Sequence, residues 1–326
     1  MIMSATPSED HKYLPVVQVG QIPLEAEPRR WLVEGLWGAS AVGFIGGPPK
    51  CCKSYLGLEL AVAVASGTPA LGHHPVLEPG PTLVYLAEDA LSAVRQRVDG
   101  LVKHRELSLE HLALHVITAP TLRLDQTADC QRLFQTVQRL RPRLVLLDPL
   151  VRMHGIDENH ATEVAQLLSA LRNLQRQLDV AVILVHHTRK FIPAGTQAGQ
   201  GLRGSTDLHA FGDSNLYLRR GRDGLVLSME HRAAAAPEPV GLQLITDDEA
   251  AIHLQITHDA NHQQEQRRQH LAHAVLAALA SSQPMTRQAL RQRLAVKNQT
   301  LGEALEELER ADKIERCSEG WRLLAS

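Results

Sequence analysis

The sequence predicts an α/β protein in which helices flank a mostly parallel sheet. Short apolar runs alternate with helical patterns from about residue 41 to residue 190, which is typical of such a sheet. Two of these runs are followed at once by acidic residues, and another ends in a glycine-rich loop. Because ligands of open α/β sheets bind at the carboxyl ends of the strands, these positions indicate where a site lies.

The predicted elements follow one another in a regular order. Five apolar runs predict the parallel strands: Ala41–Gly46, Thr82–Ala87, Leu112–Thr118, Leu144–Leu147 and Ala181–His187. Periodic segments predict the helices between them: Ser54–Ala65, Leu91–His104, Ala128–Leu140 and Asn159–Leu178. Four alternating runs indicate antiparallel strands that extend the sheet: Asn215–Arg219, Leu225–Glu230, Val240–Ile245 and Ala251–Ile256.

The 326 residues suffice for one large core and a small second module. We predict an N-terminal arm over residues 1–30, a core over 31–258 and a C-terminal domain over 264–326, preceded by a polar stretch. In the last domain, three helical segments and the stretch KIERCSEGWRLL fit a winged helix-turn-helix. The helices are expected at about Gln266–Ala280, Thr286–Leu294 and Thr300–Ala311.

Composition narrows the classes of protein that fit. No apolar run approaches the roughly 20 residues that cross a bilayer, and no secretory signal pattern opens the chain. We therefore expect no membrane contact. The four cysteines have no spacing typical of a disulfide framework or a zinc site, so we expect a reducing cytoplasm. The net charge of −2 means that any nucleic-acid contact must come from a local patch.

The strongest motif is a phosphate-binding loop between the first strand and the first helix. Its residues are Gly47, Pro48, Pro49, Lys50, Cys51, Cys52, Lys53 and Ser54, followed by Tyr55. They match G-x-x-x-x-G-K-[ST] except that Cys52 replaces the second glycine. This nine-residue segment is predicted to bind ATP, with Lys53 on the phosphates and Ser54 on Mg²⁺. The alternative is a fortuitous Gly/Pro turn before a buried helix.

Three further residues are predicted to complete the site from the ends of other strands. Asp148 ends a buried run, where a Walker B carboxylate would orient Mg²⁺. Glu88 is the candidate for polarising the attacking water, whereas Asp89 is expected to cap the following helix. His187 is a candidate γ-phosphate sensor. The alternative places His186 and His187 on opposite faces of the sheet, with one of them simply packed.

With these pieces in order, the core resembles the RepA-like, AAA-type branch of the RecA-fold ATPases, which includes plasmid hexameric replicative helicases. The resemblance spans roughly residues 28 to 257. It is carried by the motifs GGPPKCCKSYLGLELAVAVASG, LVYLAEDA, LVLLDPL, VHHTRK, LRGSTDLHAFGDSNLYLRR and MEHRAAAAPEPV. The resemblance implies the roles given above for Lys53, Ser54, Glu88, Asp148 and His187.

The resemblance also implies an arginine finger supplied by a neighbouring subunit. Related proteins carry a Lys-x-Arg pair near the end of a late strand, and here the matching residues are Glu230, His231 and Arg232. Arg232 is therefore the first candidate finger and Arg203 the second. A surface ion pair is the alternative role of either arginine.

The fold class expected from the resemblance is a RecA-like P-loop NTPase core with a small winged-helix-like domain. The implied function is a cytoplasmic, DNA-dependent ATPase that forms a homo-hexameric ring. We expect single-stranded DNA to contact Arg189 and Lys190. A replicative helicase of a plasmid or mobile element is the first hypothesis. The alternatives are a non-unwinding ATPase of recombination, repair or regulation, and a nucleotide-gated scaffold.

The C-terminal domain is expected to dock proteins. Its third helix carries Glu303, Glu306, Glu307 and Glu309, a face that a phosphate backbone would repel. The preceding helix is basic. We therefore expect contacts with other subunits or replication proteins in preference to major-groove readout.

Overall fold

The computed structural model describes twelve stretches of the chain. They are residues 16–21, 30–158, 160–188, 206–221, 224–246, 251–257, 271–280, 284–294, 296, 298–311, 313–317 and 320–324. No helix in these stretches is both long and apolar enough to cross a bilayer.

A nine-stranded sheet forms the centre of the molecule. A short hairpin of β1 (Trp31–Val33) and β2 (Trp37–Gly38) precedes it. The strands of the sheet are β3 (Val42–Gly47), β4 (Thr82–Leu86), β5 (Leu114–Val116), β6 (Leu144–Asp148), β7 (Ala181–His187), β8 (Ser214–Arg220), β9 (Leu225–His231), β10 (Val240–Thr246) and β11 (Ile252–Thr257). Their order is β11-β10-β9-β8-β3-β7-β6-β4-β5. The pairs from β8 to β5 are parallel and those from β8 to β11 antiparallel.

Helices cover both faces of this sheet. They are α1 (Lys53–Ser66), α2 (Leu91–His104), α3 (Thr127–Leu140), α4 (Ala161–Leu178) and the short α5 (Thr206–Phe211). Side chains alternate along each strand, so β6 sends Leu144 and Leu146 into the apolar core shared with α1 and α2. Val145 and Leu147 enter a second core, shared with α3 and α4. Both faces are therefore buried, as is usual for a parallel sheet.

The predicted strands and helices of residues 41–257 are all present, with small shifts at their ends. One pairing differs from the prediction: the segment expected as the first antiparallel strand, β8, is parallel to β3 and antiparallel only to β9. The cause is β3, which forms hydrogen bonds with β7 on one side and β8 on the other. Thus β8 ends at the same edge of the sheet as the phosphate-binding loop.

The C-terminal segment has its own apolar core. Its helical parts are residues 271–280 (α6), α7 (Arg287–Leu294) and α8 (Asn298–Arg310), and its hairpin joins β12 (Ile314–Cys317) to β13 (Gly320–Leu323). Buried side chains from all three helices and β12 form one cluster, which includes Val275, Leu290, Leu305 and Ile314. Three helices and a two-stranded hairpin agree with the predicted elements. The winged-helix class and the domain limits stay predictions.

Candidate functional site: a phosphate-binding edge

The carboxyl ends of four parallel strands meet at one edge of the sheet. In the register of the sheet, Gly47 lies beside His187 and Leu86 beside Asp148. The edge opens into a cavity of about 330 Å³. Its lining consists of Lys50, Cys51, Cys52, Lys53, Ser54, Tyr55, Glu88, Asp89, Arg97, Asp148, Pro149, Val185 and His187. The fold therefore brings the predicted loop, both carboxylates and the histidine to one place.

Two residues of the loop that are not glycine have a left-handed backbone conformation. Lys50 has φ 60° and Cys52 has φ 64°. Cys52 is also the N-cap of α1, at the position where the motif has its second glycine. A left-handed conformation costs a residue with a Cβ atom about 1–2 kcal/mol. The loop thus keeps the backbone geometry that glycine permits, at the expense of local strain.

Gly47 is required at the start of the loop because there is no room for a side chain. A Cβ atom built on Gly47 would lie 2.5 Å from the carbonyl oxygen of Leu218 and 2.7 Å from the Sγ atom of Cys51. Such contacts demand movement of the backbone of β8. The first glycine of the motif therefore serves the packing of the loop against the neighbouring strand.

Lys53 is almost completely buried, with 6% of its surface exposed. Its Nζ atom donates a hydrogen bond of 2.9 Å to the carbonyl oxygen of Pro48. Burial lowers the pKa of this amine, and the nearby Cys51 thiol and the Asp148 carboxyl oppose that change. The ammonium group lies folded against the loop, where it can face a bound phosphate.

Asp148 is a buried carboxyl at the end of β6, with 5% of its surface exposed. Burial raises its pKa to about 6, although the hydrogen bond from Ser54 and the charge of Lys53 oppose the rise. Its Oδ2 atom is buried without a hydrogen-bond partner in the described part of the chain. A carboxylate oxygen and a hydroxyl side by side suit Mg²⁺, which commonly takes one or two protein ligands together with substrate phosphates.

Glu88 and Asp89 follow β4 and bind different arginines. The carboxylate of Glu88 accepts a hydrogen bond of 2.6 Å from the Nε atom of Arg152, and both side chains are about half exposed or more. The prediction that Asp89 caps the next helix is wrong. Ala90 is the N-cap of α2, and both Asp89 oxygens accept hydrogen bonds, of 2.6 and 2.9 Å, from Arg97.

The two histidines that end β7 differ in their environment. His186 is 1% exposed, and its ring lies 6.1 Å from that of Phe44 in the core shared with α3 and α4. His187 lines the cavity instead. The alternation along the strand therefore places one ring in the core and the other at the phosphate-binding edge, so His187 has the position that a sensor requires.

Arg232 follows β9 and lies at the opposite end of the parallel strands. It donates hydrogen bonds to the carbonyl oxygens of Ala210 and Phe211 and lies 3.5 Å from the Asp213 carboxylate. Asp213 in turn accepts a bond from the backbone N–H of Val42, at the start of β3. Arg232 therefore cannot reach the site of its own chain. The other predicted cations, Arg189, Lys190 and Arg203, lie outside the described residues.

Two arginines of the site were not predicted from the sequence. Arg97 forms an ion pair with Asp89, and its guanidinium lies over the ring of Tyr55, 5.3 Å from the ring centroid. Arg220 ends β8 and donates a hydrogen bond of 2.8 Å to the carbonyl oxygen of Lys50. In the sequence, Arg220 directly follows a predicted strand. That position indicates a contact with the loop only once β8 is known to be parallel to β3.

A strand-loop-helix unit with these side chains at the edge of a mostly parallel sheet defines a RecA-like P-loop ATPase. The chain belongs to the AAA domain family, which matches residues 7–191.

Two solved structures are similar to the chain. The crystal structure of the RadB recombinase is 16% identical, with a TM-score of 0.48, over 66% of this chain and 90% of that one. The structure of a DnaB-like replicative helicase, described with its interactions with primase, is 14% identical, with a TM-score of 0.50. That similarity covers 64% of this chain and 56% of the helicase chain. At these identities the similarity concerns the fold alone.

Proposed function

We propose that the chain is an ATP-hydrolysing, DNA-dependent motor that forms a hexameric ring in the cytoplasm, and specifically a replicative helicase of a plasmid or mobile element. The observation that carries the proposal is the convergence of Lys53, Ser54, Glu88, Asp148 and His187 in one cavity. The similarity in fold to a DnaB-like replicative helicase is compatible with the proposal.

Each side chain has a proposed role that follows from its position. The loop N–H groups and the Lys53 ammonium bind the phosphates, and Ser54 and Asp148 provide oxygen ligands for Mg²⁺. Bound Mg²⁺ neutralises charge that develops on the phosphates. The Glu88 carboxylate accepts a hydrogen bond from the attacking water, and His187 contacts the γ-phosphate from the end of β7. Glu88 must leave Arg152 for this role, and an exposed ion pair of about 0–1 kcal/mol permits that.

Hydrolysis and strand separation are tested with the same set of variants. We expect the wild-type protein to hydrolyse ATP and unwind a tailed duplex, whereas Lys53→Ala loses both because it no longer binds the phosphates. Glu88→Gln should bind ATP and fail to hydrolyse it. Arg132→Gln is a matched control, since Arg132 forms an exposed ion pair with Asp129 on α3. A wild-type protein no more active than Glu88→Gln, with or without DNA, refutes the proposal.

Other outcomes of the same assay favour the remaining hypotheses. ATP-dependent binding of single-stranded DNA without unwinding indicates a recombination, repair or regulatory ATPase. Nucleotide binding without hydrolysis indicates a scaffold. The proposed contacts of Arg189 and Lys190 with DNA predict that replacing both by glutamine weakens DNA binding and makes it less sensitive to salt, because fewer counterions are released.

Arg232 is proposed to act on the site of a neighbouring subunit, and subunit mixing tests this directly. Lys53→Ala and Arg232→Ala proteins should each be inactive as pure rings. In mixed rings, some interfaces pair Lys53 of one subunit with Arg232 of the next, so ATPase activity should return on mixing. A mixture of Arg232→Ala with Arg232→Gln serves as the control and should stay inactive. Failure of the first mixture to recover activity excludes Arg232, and the same design then applies to Arg203.

The division of the chain is part of the proposal. We propose residues 31–258 as the ATPase core and residues 264–326 as a winged-helix-like domain that docks other subunits or replication proteins. The separate apolar core of the C-terminal segment supports this division. A protein truncated after residue 258 should keep ATPase activity, and measurement of its mass with and without ATP shows whether the C-terminal segment contributes to the ring.

A further inference from the structure

Arg220 reaches the phosphate-binding loop from a strand that is remote in sequence. It is the last residue of β8, and its guanidinium donates a hydrogen bond of 2.8 Å to the carbonyl oxygen of Lys50. The two residues are 170 positions apart. The contact exists because β8 is parallel to β3 and both strands end at the same edge of the sheet.

The residue that Arg220 holds is one of the two strained positions of the loop. Lys50 has a left-handed backbone, and Cys52 has the same conformation two residues later. Neither has the freedom of glycine, so both conformations must be imposed by contacts with the rest of the protein. Lys53 holds the carbonyl oxygen of Pro48, and Arg220 holds that of Lys50. These two bonds fix consecutive parts of the same turn.

The direction of the Lys50 carbonyl group also has an electrostatic consequence. A phosphate-binding loop works by presenting N–H groups to the anion, and a carbonyl oxygen turned toward the phosphates would repel them. A carbonyl oxygen that is engaged by a guanidinium group is not available to turn inward. The charge of Arg220 also acts on the loop. Burial raises the pKa of the Cys52 thiol, and among the charges that oppose this rise Arg220 has the largest effect.

We propose that Arg220 is a positioning residue of the nucleotide site, which compensates for the missing second glycine by holding the Lys50 carbonyl group and with it the phosphate-binding conformation of the loop. The inference rests on the proposed function, because it concerns the same nucleotide. It assigns to Arg220 a role within its own chain, unlike the role proposed for Arg232. The role concerns the shape of the loop, so it applies to every nucleotide that the loop binds.

The test compares nucleotide affinities of variants at two adjacent arginines. Arg219 is exposed and precedes Arg220 on β8, which makes Arg219→Gln a matched control for charge. We expect Arg220→Gln to bind both ADP and ATP about tenfold more weakly. Tenfold corresponds to about 1.4 kcal/mol, which is close to the lower end of the range for one hydrogen bond made by a charged group. Arg220→Lys should recover most of the affinity, because an ammonium group can also donate to the carbonyl oxygen.

Binding is measured by displacement of a fluorescent ADP analogue, with unfolding by urea as a check that each variant is folded. Equal losses for Arg219→Gln and Arg220→Gln would show that only net charge matters and would overturn the inference. A loss for ATP without a loss for ADP would overturn it too, since that pattern indicates a contact with the γ-phosphate. If the wild-type protein binds no nucleotide, the proposed function itself fails, so the two failures are distinguishable.

Discussion

Replacing Asp148 by asparagine should stabilise the protein at neutral and alkaline pH when neither nucleotide nor Mg²⁺ is present. Burial raises the pKa of this carboxyl from 3.8 to about 6 in the folded protein. Each pH unit between the folded and unfolded pKa values corresponds to about 1.4 kcal/mol, so ionisation costs the folded state about 3 kcal/mol. Because the folded pKa is the higher one, the contribution of Asp148 to stability is most favourable below about pH 4 and is lost as the pH rises through 6. An asparagine does not carry this cost.

Denaturation by urea at several pH values in EDTA measures the effect. At pH 8 we expect Asp148→Asn to be up to about 3 kcal/mol more stable than the wild-type protein, a figure that already includes the attraction between Asp148 and Lys53. Near pH 4 the two proteins should differ little. Addition of Mg²⁺ and ATP should stabilise the wild-type protein more than the variant, because only the wild-type protein keeps the charged ligand. A variant that is less stable than the wild-type protein at pH 8 in EDTA would refute the reasoning.

Three further changes have expected outcomes. Gly47→Ala should abolish nucleotide binding, measured by ADP displacement, because its Cβ atom would lie 2.5 Å from the Leu218 carbonyl oxygen; retained affinity would contradict the packing argument. Arg105→Met should lower the free energy of unfolding by about 3–5 kcal/mol in urea, because it removes the positive charge beside the buried Glu59 carboxylate and leaves it the backbone N–H of Leu71, and a loss below about 1 kcal/mol would show that Glu59 is solvated. Cys52→Gly should keep nucleotide binding and raise stability by up to about 1 kcal/mol, since relief of left-handed strain exceeds the entropy that glycine adds; a clear loss of stability would contradict this.

The parallel core was predictable because each of its strands is a local apolar run that ends at a chemically distinct residue. The prediction of β7 at Ala181–His187 and of α2 at Leu91–His104 agrees with the structure at both ends. Once the strands are parallel, their carboxyl ends must share an edge. Spacing along the chain therefore sufficed to bring Ser54, Asp148 and His187 into one cavity.

Contacts between remote side chains were not predictable in the same way. Asp89 looked like a helix cap because it lies two residues before α2, but a guanidinium on the second turn of α2 offers two charged donors, which outweigh a single backbone N–H. The bond from Arg220 to Lys50 depends on which strand lies beside β3. No local pattern contains that information.

The charges of Lys53 and Asp148 favour binding of a nucleotide and a cation together. The two groups attract each other, and yet burial lowers the pKa of the amine and raises that of the carboxyl, so the cost of removing both from water exceeds their attraction. Phosphate oxygens provide further negative charge beside the buried amine, and a cation provides further positive charge beside the buried carboxyl group. Binding of either one alone leaves the other group uncompensated. Nucleotide and Mg²⁺ should therefore bind more tightly together than separately, which by reciprocity means that each raises the affinity for the other by the same factor.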